Sequence, residues 1–251
     1  SMQAGRKNRP QSIAEFMALL EDKDSSTSSQ SNQTKEETEE TTVLVDSESS
    51  SQKQEEQPLP NKSNFINGHE FVDLGLSVKW ATCNIGAEKP EDYGDYFAWG
   101  ETEPKKVYSE NTYKHCTKGW LFNKYSNIGE NISGTEYDAA RTNWGGSWRM
   151  PTNMEIHDLI DKCKWDWITN DNNNGYKIIG PNGNSIFLPA AGFRYGTLLG
   201  DVGIEGCYYS SRLYKNVDIL RNACYLNFDN EDLIVDWILR TNGLSIRPVS
   251  D

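Results

Sequence analysis

The apolar positions of this chain come in short runs rather than long periodic stretches, which predicts many short strands and few helices. Phe71-Val72-Asp73-Leu74-Gly75 and Val78-Lys79-Trp80-Ala81-Thr82-Cys83-Asn84-Ile85 read as two strands. Tyr93-Gly94-Asp95-Tyr96-Phe97-Ala98-Trp99-Gly100 reads as a third, aromatic one, with glycines where chains approach closely. Residues 101–143 carry few periodic signals and read as a long ordered excursion. After Pro151, the capping box Thr152-Asn153-Met154-Glu155 opens a helix with Ile156, Leu159, Ile160 and Cys163 on one face. Positions 170–175 read as a turn. Tyr176-Lys177-Ile178-Ile179 and Ser185-Ile186-Phe187-Leu188 form a hairpin around Pro181-Asn182-Gly183-Asn184. Segments 225–228, 234–239 and 244–248 supply the closing strands, and the whole predicts an α+β fold.

One stretch resists its own pattern. In Asp232-Leu233-Ile234-Val235-Asp236-Trp237-Ile238-Leu239-Arg240 the apolar residues fall on both faces of any strand, so they cannot all enter one core. Some of them are expected to point at a partner. Trp237 is assigned to the core, with Asp236 and Ile238 facing the other way.

Near the start, Ser12-Ile13-Ala14-Glu15 has the form of a second capping box, with Phe16, Met17 and Leu20 at helical spacing from Ile13. It predicts a short amphipathic helix from Ser12 to Glu21, marginal when isolated in water. Such a helix suits docking to a larger assembly. A frayed helix with no partner is weighed equally.

Composition divides the chain. Between residues 24 and 58 nine acids stand against Lys35 and Lys53, and only Val43-Leu44-Val45 offers apolar surface. That segment cannot offset the entropy of ordering, so 24–63 is expected to be an acidic disordered linker. Residues 1–23 then comprise a tag remnant at Ser1-Met2 and the short helix. All eight Trp lie beyond the linker, and 64–251 is expected to be one domain.

The net charge of −12 and the lack of a basic stripe argue against a nucleic-acid partner. No apolar run approaches the roughly 20 residues of a membrane span. No signal peptide is visible, and a removed leader is left open. Five cysteines (Cys83, Cys116, Cys163, Cys207, Cys224) give no CxxC spacing and no disulfide framework. A bridge between Cys83 and Cys163 stays open beside the favoured reading of buried free thiols. Cys207 and Cys224 are taken as incidental surface choices. Arg149 and Arg247 lie inside apolar motifs and are expected in structural ion pairs with Asp73, Asp95 or Glu101. Gly145-Gly146 is expected to permit a tight backbone crossing.

At Trp80-Ala81-Thr82-Cys83-Asn84-Ile85-Gly86-Ala87, Asn143-Trp144-Gly145-Gly146-Ser147-Trp148-Arg149-Met150-Pro151-Thr152, Phe187-Leu188-Pro189-Ala190-Ala191-Gly192 and Gly243-Leu244-Ser245-Ile246-Arg247-Pro248-Val249 the chain closely resembles a family of Bacteroidetes surface domains. That family is the Fibrobacter-succinogenes-type major paralogous domain, akin to the C-type-lectin-like fold of formylglycine-generating enzymes. The resemblance covers essentially all of residues 64–250. It implies a C-type-lectin-like fold with short antiparallel strands, one or two helices and long ordered loops.

Some members of that group are variable proteins of diversity-generating retroelements, whose adenine-directed mutagenesis randomises chosen codons near the C-terminus. The resemblance implies a variable region at about 194–244. There Cys207, Arg212, Ile219, Leu220, Cys224, Ile234, Ile238, Leu239 and Thr241 stand where an unvaried member would be rich in Asn or Tyr. The implied ligand face comprises Tyr195, Asp201, Ile204, Cys207, Tyr209, Arg212, Tyr214, Cys224, Asn227, Asp229, Ile234, Asp236, Ile238, Leu239, Arg240 and Thr241. In it Tyr195, Tyr209, Tyr214, Ile234, Ile238 and Leu239 would be anchors, and Asp201, Arg212, Asp236 and Arg240 would set polarity. The implied partner is an unknown protein or glycan, and a cell surface or phage particle is the favoured location. The competing expectation is a structural or adhesive surface domain of the same fold, with half of these residues simply core.

Catalysis is not expected. The active-site cysteine pair of the related formylglycine-generating enzymes has only Cys207 and Cys224 as candidates here, outside any catalytic signature. His69, His115 and His157 are scattered, with no Ser-His-Asp or HExxH pattern. No cofactor or metal is expected either. Asp171-Asn172-Asn173-Asn174-Gly175 lacks the spaced acids and terminal Glu of a calcium loop.

Overall fold

The computed structural model describes residues 64–121, 123–169, 173–216 and 219–251. The helix expected at 12–21, the acidic linker, Asn170, Asp171 and Asn172 of the expected turn, and the side chain of Ile219 lie outside the described residues.

In chain order the first elements are β1 (Phe65–Ile66), β2 (His69–Asp73), β3 (Lys79–Ala81), β4 (Cys116–Thr117) and β5 (Lys124–Tyr125). Two helices follow, α1 (Ala139–Trp144) and α2 (Asn153–Lys162). Then come β6 (Lys164–Ile168), β7 (Gly175–Ile179), β8 (Ser185–Pro189), β9 (Phe193–Tyr195), β10 (Leu198–Gly200), β11 (Gly206–Asn216), β12 (Ile219–Phe228), β13 (Leu233–Leu239) and β14 (Val249–Ser250). All strand pairs are antiparallel: β1-β2-β3-β14, β4-β5, β6-β7-β8, β9-β10 and β11-β12-β13. With two helices among them, the described residues form an α+β fold.

Helix α2 starts where its capping box says it should. The Thr152 hydroxyl accepts from the Glu155 N–H, and the Glu155 carboxylate accepts from the Thr152 N–H at 2.8 Å. Ile156 and Leu159 of its inner face are buried. The expected hairpin is also present, with Tyr176 opposite Leu188 and Ile178 opposite Ile186. The aromatic segment 93–100 is not a strand. Its contact with 244–248 reduces to single bridges such as Phe97 with Leu244, since glycines and buried rings replace a continuous ladder. Likewise 244–248 contributes isolated bridges and leaves the final pairing to β14. The described residues of the excursion 101–143 carry the two-residue strands β4 and β5 and all but the last residue of α1, which its weak periodicity did not announce.

Buried residues fall into two large clusters and a smaller tyrosine-rich one around Tyr96, Tyr108, Tyr113 and Tyr125. Long loops are held by side chains reaching backbone across the chain: Trp99 Nε1 donates to Ser210 O at 3.0 Å, and Trp148 Nε1 to Ile66 O at 2.7 Å. Gly145 and Gly146 both take positive φ (65° and 59°), and a side chain at either would press on Asn67. That is the tight crossing expected of them.

Arg149 and Arg247 are structural, the first half-buried and the second buried, but not with the carboxylates expected. Arg149 forms a two-pronged pair with Glu155 (2.9 and 2.7 Å) and reaches Asp251 at 2.6 Å. Arg247 meets no carboxylate among the described residues. It donates to Asn84 Oδ1 and to the carbonyls of Ala81, Thr82 and Phe187. Neutral acceptors in number satisfy its donors without a counter-charge.

Candidate functional site

The candidate region is the β11-β12-β13 sheet with the turns that flank it. Side chains alternate across each strand, so the registers assign every residue to a face. Tyr208, Leu226, Val235, Phe228 and Leu233 share one face and pack into the cluster that includes Ile156 and Leu159 of α2. Cys207, Tyr209, Leu213, Ala223, Tyr225 and Ile238 share the other and pack into the cluster around Trp99 and Trp148. The sheet therefore lies between two cores. That explains the apolar residues on both faces of β13: Leu233 and Val235 serve one core and Ile238 the other.

Trp237 corrects the expectation. It is 48% exposed, not core, and stacks on Tyr214 with ring centroids 5.4 Å apart and planes at 20°. It shares a face with Leu233 and Val235, but stands further along the sheet, opposite Cys224. The signal was present in the alternation itself, which could as well have turned Trp237 outward as inward.

Six of the sixteen candidate residues are buried and leave the solvent face: Cys207, Tyr209, Cys224, Asn227, Arg240 and Thr241. The Tyr209 hydroxyl donates to Leu239 O and Asn242 O. Asn227 Nδ2 donates to Glu205 at 3.3 Å. Arg240 is fully enclosed. Its guanidinium lies 4.8 Å from the Trp99 ring centroid, near the rings of Tyr113 and Tyr125, and donates to Tyr113 Oη, Ser126 O and Leu220 O. An arginine so caged holds the fold together rather than setting the polarity of a surface.

Cys207 and Cys224 are interior residues, not surface choices. Cys207 faces Asn227 across the ladder, and Cys224 is three residues from Asn227, so the two thiols lie on opposite faces of the sheet and cannot act as a pair. Burial pushes the Cys224 thiol up, away from the reactive thiolate. All five cysteines are free, with Cys83, Cys116 and Cys163 half-buried.

The other ten candidates reach solvent at least in part. Ile204 is 62% exposed in the turn after β10, while Arg212 and Asp236 are exposed on β11 and β13. Arg212 sits at the irregularity between Tyr209 and Leu213 and pairs with Glu130 at 3.7 Å. Tyr195, Asp201, Tyr214, Asp229, Ile234, Ile238 and Leu239 are half-buried. Two of these have local work: Asp201 takes φ 57° to make the turn into Ile204, and Asp229 Oδ1 accepts from the N–H groups of Glu231 and Asp232. The solvent-facing set is thus not one patch. Tyr214, Arg212 and Trp237 lie toward one end of the sheet, Ile204, Asp229 and Ile234 toward the other, and Asp236 turns to the opposite face of β13 from Trp237.

Exposed apolar residues outside the candidate list include Trp120 (96%) and Leu121 between β4 and β5, Met154 at the start of α2, and Leu198 (53%) and Leu199 on β10. Hydropathy pattern alone gave no reason to single them out. A shallow groove of about 300 Å³ includes Asp95, Lys105, Lys106 and Arg194, with Arg194 lying over the Tyr96 ring at 5.1 Å. Among the described residues no three His, Cys, Asp or Glu side chains are placed to hold a metal ion. No helix among them is long and apolar enough to cross a membrane.

Comparison of the chain with models of protein families, with curated proteins and with solved structures finds no match.

Proposed function

We propose that this chain is a non-enzymatic binding protein that displays a diversified ligand face on a C-type-lectin-like scaffold. The scaffold reading is supported by the sequence motifs and by the mixture of short antiparallel strands, two helices and long loops pinned by buried side chains. The observation that carries the binding reading is the Tyr214–Trp237 stack, with Trp237 exposed on a sheet that is held between two cores. A stacked aromatic pair on rigid strands offers a large contact area at little entropic cost, with the exposed Arg212 on the same strand as Tyr214. The ligand is a protein or a glycan. Attachment through the segment at 12–21 to a phage particle or cell-surface appendage belongs to the same proposal.

Burial of six candidates favours the second reading, a structural or adhesive domain whose irregular residues are ordinary divergence. Codon-by-codon sequencing of the gene's 3′ end across a natural population separates the two. The proposal expects substitutions concentrated at Ile204, Arg212, Tyr214, Asp236 and Trp237, with Tyr209, Arg240 and residues 187–192 constant. Variation spread evenly over the domain would remove the diversified face and leave the second reading.

A further inference from the structure

Strand β13 is an edge. Among the described residues it pairs with β12 on one side and with no strand on the other. The outward groups can be identified from three hydrogen bonds. The Arg240 N–H donates to Arg221 O at 2.9 Å, and Asp232 O accepts from the Asp229 N–H at 3.0 Å, so the backbone of even-numbered residues points toward β12. Leu233, Val235 and Trp237 then point theirs away. The third bond agrees: the Trp237 N–H is taken by the side chain of its own neighbour, Asp236 Oδ1, at 2.8 Å.

The strand reads Leu-Ile-Val-Asp-Trp-Ile-Leu, with no proline or glycine and one charge. Seven such residues on an open edge are the composition that pairs edge to edge. Asp236 alone interrupts it, exposed and with no ion pair among the described residues.

We propose that Asp236 is an edge guard, which keeps β13 from pairing with the same strand of a second copy of this chain. Two features act together. The carboxylate occupies the Trp237 N–H that an added strand would need. A two-fold antiparallel pairing centred on Val235 would also set each Asp236 against Ile234 of the other copy, forcing an unpaired carboxylate among apolar side chains. Neither feature depends on what the domain binds.

Sedimentation velocity over a range of concentrations, on the full chain and its variants, tests this. Wild type should keep a constant mass. Asp236→Ala should show at least a doubling of mass as concentration rises, with slowed amide exchange at Leu233 and Val235. Asp236→Asn, which keeps an acceptor for the Trp237 N–H but loses the charge, should fall between them. Ile234 packs against none of the buried clusters, so adding Ile234→Lys to Asp236→Ala restores a charge to the edge and should restore the wild-type mass. A folded Asp236→Ala chain that stays at wild-type mass overturns the proposal, as does association that survives Ile234→Lys or a wild type already protected at Val235. Should Asp236→Ala fail to fold, the Asp236→Asn comparison decides alone: association supports the guard, and constant mass rejects it.

Discussion

Arg240 shows how far a single side chain can depart from what its neighbours suggest. Between Leu239 and Thr241 it looks like a surface charge, yet it fills a cage made by Trp99, Tyr113 and Tyr125, more than a hundred residues earlier. No local pattern encodes a contact of that range. Truncating it would take a donor from Ser126 O, Leu220 O and the Tyr113 hydroxyl, which keeps its own bond to Trp99 O, and open a cavity beside Trp99. Arg240→Ala is therefore expected to cost on the order of 3 kcal/mol in chemical denaturation. Arg240→Met, which keeps more of the packing, should cost less. Trp237 is the opposite case: the alternation of β13 was legible, but which face extends beyond the core was not, because that depends on where α2 and the β6-β7-β8 sheet end.

Elements specified by local chemistry were legible, and those specified by distant partners were not. Helix α2 follows from its capping box and the hairpin β7-β8 from its turn residues, whereas the bridges of 93–100 follow from long-range packing, and α1, though Asp138 and Gly145 cap it locally, is too short to show a period. The cap invites a direct measurement: Thr152→Ala should lower stability by about 1 kcal/mol. Its partner Glu155 links the helix to pH. Burial would raise this carboxyl, but hydrogen bonds from Arg149 and the Thr152 N–H outweigh burial and hold it below the ordinary carboxylate range. A group depressed on folding contributes its full stability above the unfolded value and loses it as pH falls through the folded one. Glu155→Gln should accordingly flatten the acid limb of a stability profile below about pH 4.5 while lowering stability at neutral pH.

For the whole molecule, the α+β class and the strands β2, β3, β7, β8, β12 and β13 could be read from the chain, while β6, the long β11 and the division of the interior into two cores could not. That division also governs the cysteines. Since Cys207 and Cys224 occupy opposite faces of one sheet and the remaining three are free, added reductant should leave the melting temperature unchanged, and alkylation after unfolding should label all five thiols. A bridge between Cys83 and Cys163 would show as a two-thiol deficit. Strand β12 has a further meaning for the history of the gene. From Ala223 to Phe228 every position but the half-buried Tyr225 is buried on one side of the sheet or the other, so a codon changed there damages a core. Were the proposed diversified face real, novelty would be channelled into the bulge of β11, the rim of β13 and the turns between strands, and the number of surfaces open to sampling would be the product of choices at those few tolerant positions.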